Sequence, residues 1–178
     1  TSLLSASRFG TAGIEELSQQ VMALFSSNEP PKKIFPEGLA FDILPSIGGL
    51  QEDAQSSAEH QISAEIASLL GVRPELVRNT LNLAPVFSGS STNLSIAMDG
   101  DFSLDEVKEQ LKEDEWIQLD EISPSSRNLI GERKVYVSRI RHNPLIKGID
   151  CWIACDNVAM TVHQAAKMAE YYHLVGLL

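Results

Sequence analysis

The stretch Ile149-Asp150-Cys151-Trp152-Ile153-Ala154-Cys155-Asp156-Asn157 is almost wholly apolar as far as Cys155 and then turns polar. An apolar run of that length reads as a strand buried on both faces. Asp156 or Asn157 then caps a final helix that carries Val158, Val162, Ala165, Ala166, Ala169 and Tyr172. Working back from it, residues Val135 to Arg141 read as a longer strand and Trp116 to Leu119 as a short one. Ser103-Leu-Asp-Glu106 is a capping box that opens a helix with Leu104, Val107 and Leu111. Leu94, Ile96 and Met98 alternate with Asn93, Ser95 and Ala97, the period of a half-buried strand. Leu81 and Leu83 alternate in the same way. Upstream, a helix from Ala58 to Leu70 is expected to turn Ile62, Ile66, Leu69 and Leu70 inward, with Gly71 closing it. Residues Phe35 to Pro45, broken by prolines, read as extended chain. Ile14, Leu17, Val21 and Leu24 define a first amphipathic helix, with Glu15, Glu16, Gln19 and Gln20 expected on its polar side. The sum is an α+β chain with helices covering one face of a sheet.

Composition sets the outer bounds. At 178 residues the chain has the length of one ordinary domain. It needs no disulfide or metal staple to bury a core. The formal charge is −10 and the sequence pI is near 4.8, which argues against a nucleic-acid partner, since that binding neutralises phosphates with Lys and Arg. No apolar stretch approaches the length of about 20 residues that a membrane span needs. Two cysteines and the absence of a signal peptide lead us to expect a reducing compartment, the cytoplasm. The chain opens on Thr1 instead of Met, and we expect it to be the later part of a longer protein.

Little chemistry assembles from the residues alone. Cys151 and Cys155 lie about 13 Å apart along a strand at ~3.3 Å per residue, whereas a disulfide needs less than about 7 Å. They are expected to be buried apolar residues. His60, His142, His163 and His173 are scattered, and no pair has metal-binding helix spacing. Lys32-Lys33 and Arg139-Ile-Arg141 are the basic clusters, expected on a solvated face or in a strand-end ion pair. Ser7-Arg-Phe-Gly-Thr-Ala-Gly13 lacks a dinucleotide or phosphate-loop fingerprint and reads as a turn. No metal site and no set of nucleophile, base and oxyanion hole is expected.

Five segments in order carry a resemblance. They are Gly10-Thr-Ala-Gly-Ile-Glu-Glu-Leu17, Ala40-Phe-Asp-Ile-Leu-Pro-Ser-Ile-Gly48, Ala84-Pro-Val-Phe-Ser-Gly89, Val137-Ser-Arg-Ile-Arg-His-Asn-Pro144 and Trp152-Ile-Ala-Cys-Asp-Asn157. Together they resemble the C-terminal catalytic and dimerisation domain of aspartate-semialdehyde dehydrogenases, over nearly the whole chain. The resemblance implies a domain like the C-terminal one of glyceraldehyde-3-phosphate-dehydrogenase-like enzymes. Its largely antiparallel mixed sheet, with helices packed on one face, would span residues 1–178 as a single domain and pair as a homodimer. It also implies a nicotinamide-binding Rossmann domain and a catalytic Cys on the N-terminal side, neither of them in this sequence. No cofactor is therefore expected in these residues, while NADP is a possibility for the longer protein.

The departures from the family pattern are specific. Leu4 stands where the family has an active-site Gln. Ser90 takes the place of a general acid-base His, and Leu83 that of a substrate-binding Arg. Ala58 and Gln61 match a Glu and a Lys. A serine hydroxyl does not shuttle protons near neutral pH, and losing a positioned acid-base costs about 10²–10⁴-fold in rate. Leucine for arginine removes the planar fork that grips a carboxylate. The pattern resembles the usg-type bacterial paralogues and implies a domain that keeps the fold without the dehydrogenase site. Asn157 matches a family Asn that approaches the nicotinamide, or else serves as helix N-cap. The other expectation is a working NAD(P)-dependent oxidoreductase on an aldehyde or acyl phosphate, with nucleophile and cofactor domain upstream.

Overall fold

A computed structural model describes residues 1–176, which divide into two units, Thr1–Phe87 and Ser88 onward. The first unit contains strand β1 (Ser2–Leu4), helix α1 (Gly10–Phe25), helix α2 (Ser57–Leu70) and strand β2 (Leu81–Leu83). β1 and β2 pair in parallel, with Ser2 opposite Leu81 and Leu4 opposite Leu83. Ala6, Leu17, Phe35, Leu39, Ile47, Leu81 and Leu83 form its apolar core.

Two polar side chains of α1 are buried, contrary to the amphipathic reading. Glu16 and Gln20 face inward. The Glu16 carboxylate accepts the backbone N–H groups of Lys33, Ile34 and Phe35 at 2.9–3.1 Å. Gln20 accepts those of Leu39 and Ala40 at 2.7 and 3.0 Å and donates to the Pro31 carbonyl at 2.8 Å. Prolines keep residues 31–40 out of any ladder, so the backbone there needs other partners. The helix supplies them.

α2 is also turned from its expected orientation. Its buried residues are Glu59, Ser63 and Ala67, while Leu69 and Leu70 are exposed. Ser56 caps it with Glu59 in a capping box. The same Glu59 carboxylate accepts the Leu81 N–H at 2.8 Å, tying the helix to β2. Asn79 donates to the Glu59 carbonyl and to Ser63 Oγ. These bonds set the inward face. Gly71 closes α2 in the left-handed conformation, as expected.

The second unit contains β3 (Ser90–Ala97), α3 (Leu104–Glu113), β4 (Ile117–Leu119), β5 (Val135–Asn143), β6 (Gly148–Cys155) and α4 (Asn157–Leu174). Its strands lie in the order β3-β6-β5-β4. β6 runs antiparallel to both β3 and β5, and β4 is parallel to β5. The longer pairings are thus antiparallel in a mixed sheet. α3 begins at the Ser103–Glu106 capping box, as its sequence predicts. No residue of β6 is exposed, though Asp150, Trp152, Ile153 and Cys155 are only half-buried. β3 is more open than a half-buried strand, with Ile96 39% exposed. His142 lies within β5 and not beyond its end.

One face of this sheet is apolar. Leu94, Val137, Ile149 and Cys151, with Leu111 of α3 and Met160 of α4, line a cavity of about 730 Å³. The other face is polar and centres on Asp150, which accepts from Ser95 at 2.7 Å, Asn143 at 2.8 Å and Arg141 at 3.0 Å. The hydrogen bonds from Ser95 and Asn143, with the Arg141 charge, hold the Asp150 carboxyl below the usual aspartate range. Arg141 therefore forms the ion pair that its cluster suggested.

Candidate functional site

The positions singled out by sequence fall into two groups. In the first unit, Leu4 and Leu83 are partners across β1 and β2. Leu83 is 2% exposed, and Leu4 and Ala58 pack with it in the core cluster. Position 83 is thus filled by apolar packing. Gln61 is exposed on α2 and donates to Glu65 of the same helix at 2.7 Å. Beside Ala58, Glu59 is committed to structure. Burial pushes its carboxyl up, but the N–H groups of Ser56 and Leu81 outweigh that and hold it below the ordinary value.

In the second unit, Ser90 and Asn157 come together around Gly89. The Gly89 N–H donates to Asn157 Oδ1 at 2.9 Å, and Ser90 Oγ lies 3.5 Å from Cys155 Sγ. Gly89 has φ +85, and a Cβ there would stand 2.6 Å from the Ser126 side chain, so only glycine fits the turn. Ser90 and Asn157 do not line the apolar cavity.

The cap of α4 is Asp156, which settles the alternative in its favour over Asn157. Its Oδ1 accepts from Val158 at 2.9 Å and Ala159 at 3.1 Å, and its Oδ2 from Gly131 at 2.8 Å. Burial raises its carboxyl, yet the three N–H donors outweigh burial and the group stays below the ordinary value. Asn157 is the first helical residue, with its side-chain Oδ1 engaged by the Gly89 N–H.

Cys151 and Cys155 are free thiols, as their spacing predicts. Cys151 is buried, and burial pushes its thiol further up, away from the thiolate a nucleophile needs. Cys155 is only half-buried, because β6 ends where α4 begins. His60 pairs with Asp53 at 3.0 Å at the surface, and His163 packs on the Trp116 ring at 4.7 Å. Among the described residues no three His, Cys, Asp or Glu side chains are grouped to hold a metal. Among them, too, no helix is long and apolar enough to cross a membrane.

This arrangement coincides with a known family. Residues 1–160 match the model of the semialdehyde dehydrogenase dimerisation domain, and the chain belongs to that family. It is similar to an aspartate-semialdehyde dehydrogenase of Rickettsia bellii, 33% identical over 86% of this chain and 47% of that protein. A USG-1 protein homolog of Pseudomonas aeruginosa is 29% identical over 89% of this chain and 48% of its own length. The chain thus spans about half the length of the curated relatives it matches. Among solved structures, aspartate semialdehyde dehydrogenase II of Vibrio cholerae superposes with a TM-score of 0.89 at 25% identity. That match covers 96% of this chain and 52% of the other.

Proposed function

We propose that this chain is the dimerisation half of an aspartate-semialdehyde-dehydrogenase-like protein that forms a symmetric homodimer and does not catalyse the dehydrogenase reaction. The observation that carries this is Leu83, 2% exposed within an apolar cluster where the resemblance places a substrate-binding Arg. Ser90 adds to it. Its neighbour within reach is the Cys155 thiol, and a serine hydroxyl does not shuttle protons near neutral pH. With Gln61 in place of Lys, the first-unit positions offer no cation to an acyl phosphate.

The resemblance also carries an expectation about a longer protein. We place a Rossmann domain with its NADP site, and the second half of any active site, outside these residues. Asn157 is the residue that the resemblance carries over as a contact of such a cofactor. The unpaired thiols support a reducing compartment, the cytoplasm.

One finding favours a second reading. Several similar chains are named aspartate-semialdehyde dehydrogenase, at up to 35% identity. Under that reading the protein is an NAD(P)-dependent oxidoreductase on another aldehyde or acyl phosphate, with its thiol upstream. Phosphate-dependent reduction of NADP by the longer protein, with aspartate semialdehyde and then other aldehydes, separates the two. Sedimentation equilibrium of the 178-residue chain tests the dimer.

A further inference from the structure

On the polar face of the second unit, β5 changes register against β6 between Ser138 and Arg141. Arg139 sits in that break with φ +54, a left-handed conformation that costs a non-glycine residue about 1 kcal/mol or more. The bulge separates the two arginines of the cluster. Arg141 reaches Asp150, whereas the Arg139 guanidinium has no carboxylate partner and forms no hydrogen bond among the described residues.

Arg139 lines a cavity of about 340 Å³ with Trp152, Ser91 and residues 123–126, the turn Ser-Pro-Ser-Ser. Ser123 has φ +56, so both walls of the cavity contain left-handed non-glycine residues. Ser125 stands at the start of a short 3-10 turn without using its hydroxyl as a cap. The hydroxyls of Ser91, Ser123 and Ser126 likewise enter no hydrogen bond among the described residues.

We infer that this cavity is a binding site for a tetrahedral oxyanion, a phosphate group carried on a small organic body that rests against Trp152. A carboxylate offers two oxygens in one plane, which one guanidinium fork saturates. Four serines and an arginine lining one cavity offer more donors than a planar carboxylate takes up, and a phosphate presents more acceptors in more directions. The volume exceeds that of a bare anion and falls at the small end of ligand pockets. Trp152 supplies the apolar part of the lining.

The test uses the 178-residue chain with Trp116→Phe, which leaves Trp152 as the sole tryptophan. Its fluorescence is followed during titration with inorganic phosphate, phenyl phosphate and, as the planar comparison, benzoate. Saturable quenching by phenyl phosphate, weaker for phosphate and absent for benzoate, is expected. Binding by inorganic phosphate as tightly as by phenyl phosphate would assign the site to the free anion and overturn the organic body. Arg139→Gln should weaken phenyl phosphate binding at least about tenfold, the loss of one charge-assisted contact. Ser91→Ala, which keeps the bulge untouched, should weaken it severalfold. Equal affinity in both variants, or no saturable response at millimolar ligand, would overturn the site. So would a dimer that dissociates on Arg139→Gln in a protein that binds no phosphate, since Arg139 would then meet a carboxylate of the second copy.

Discussion

Leu4 and Leu83 stand opposite each other in the parallel β1–β2 pair, and the second of them is 2% exposed. A guanidinium at position 83 would enter apolar packing with no carboxylate to receive it. Leu83→Arg is therefore expected to destabilise the chain by at least about 3 kcal/mol, the scale of an uncompensated buried charge. Leu83→Met, close in volume, should cost under about 1.5 kcal/mol. Urea unfolding of the two variants checks the difference. Equal midpoints would show that Leu83 is not the closed core position described.

Glu16 is a structural acid. Replacing it with Ala strands three backbone N–H groups of residues 33–35, two of them at 2.9 Å from the carboxylate. Stranded buried donors cost about 1–3 kcal/mol each, so a loss of roughly 3 kcal/mol or more is expected. Glu15→Ala, on the exposed neighbour, should stay within about 0.5 kcal/mol. Proteolytic cleavage within residues 31–40 should rise with Glu16→Ala alone.

Glu59 and Asp156 make stability depend on pH in one direction. Both carboxyls titrate below their ordinary values of 4.5 and 3.8 in the folded chain. A depressed folded pKa means the unfolded chain binds protons first as pH falls. Their contribution is complete above those ordinary values and is lost progressively as pH drops toward the folded ones. Urea midpoints should hold steady from pH 7 to 5 and fall below about 4.5. Glu59→Gln should be less stable at pH 7 and show a shallower decline. An unchanged slope would contradict the assignment.

Gly148 sits where β6 meets β3, and a Cβ there would run into the Ile96 carbonyl oxygen. Gly148→Ala must push the strands apart at that end, an overpacking cost of about 1–3 kcal/mol. Hydrogen exchange should quicken at Ile96 and Ala97 and stay unchanged near Ser90, at the far end of the pairing.

What the sequence made legible was local. The Ser103–Glu106 capping box, the Gly71 helix stop and the passage from Cys155 into α4 each depend on residues within a turn of one another, and each stands where expected. Glu16 and Gln20 did not show, because their partners lie 11 to 20 residues away in a loop without periodicity. The orientation of α2 was hidden for a related reason. Glu59 looks like an ordinary surface acid until its carboxylate reaches the Leu81 N–H across 22 positions. The candidate site was legible only by resemblance, since Leu4, Leu83 and Ser90 have no chemistry to announce it. Arg139 belongs to neither class, as a register break exists only between two strands.

The most direct measurement is phosphate-dependent reduction of NADP with aspartate semialdehyde, catalysed by the longer protein that carries this chain, alongside an active relative. We predict a rate indistinguishable from that of buffer for the unmodified protein, which should still sediment as a dimer. Turnover within about a hundredfold of the active relative would contradict the proposal, because loss of the acid-base group alone is expected to cost about 10²–10⁴-fold and the carboxylate clamp is lost with it.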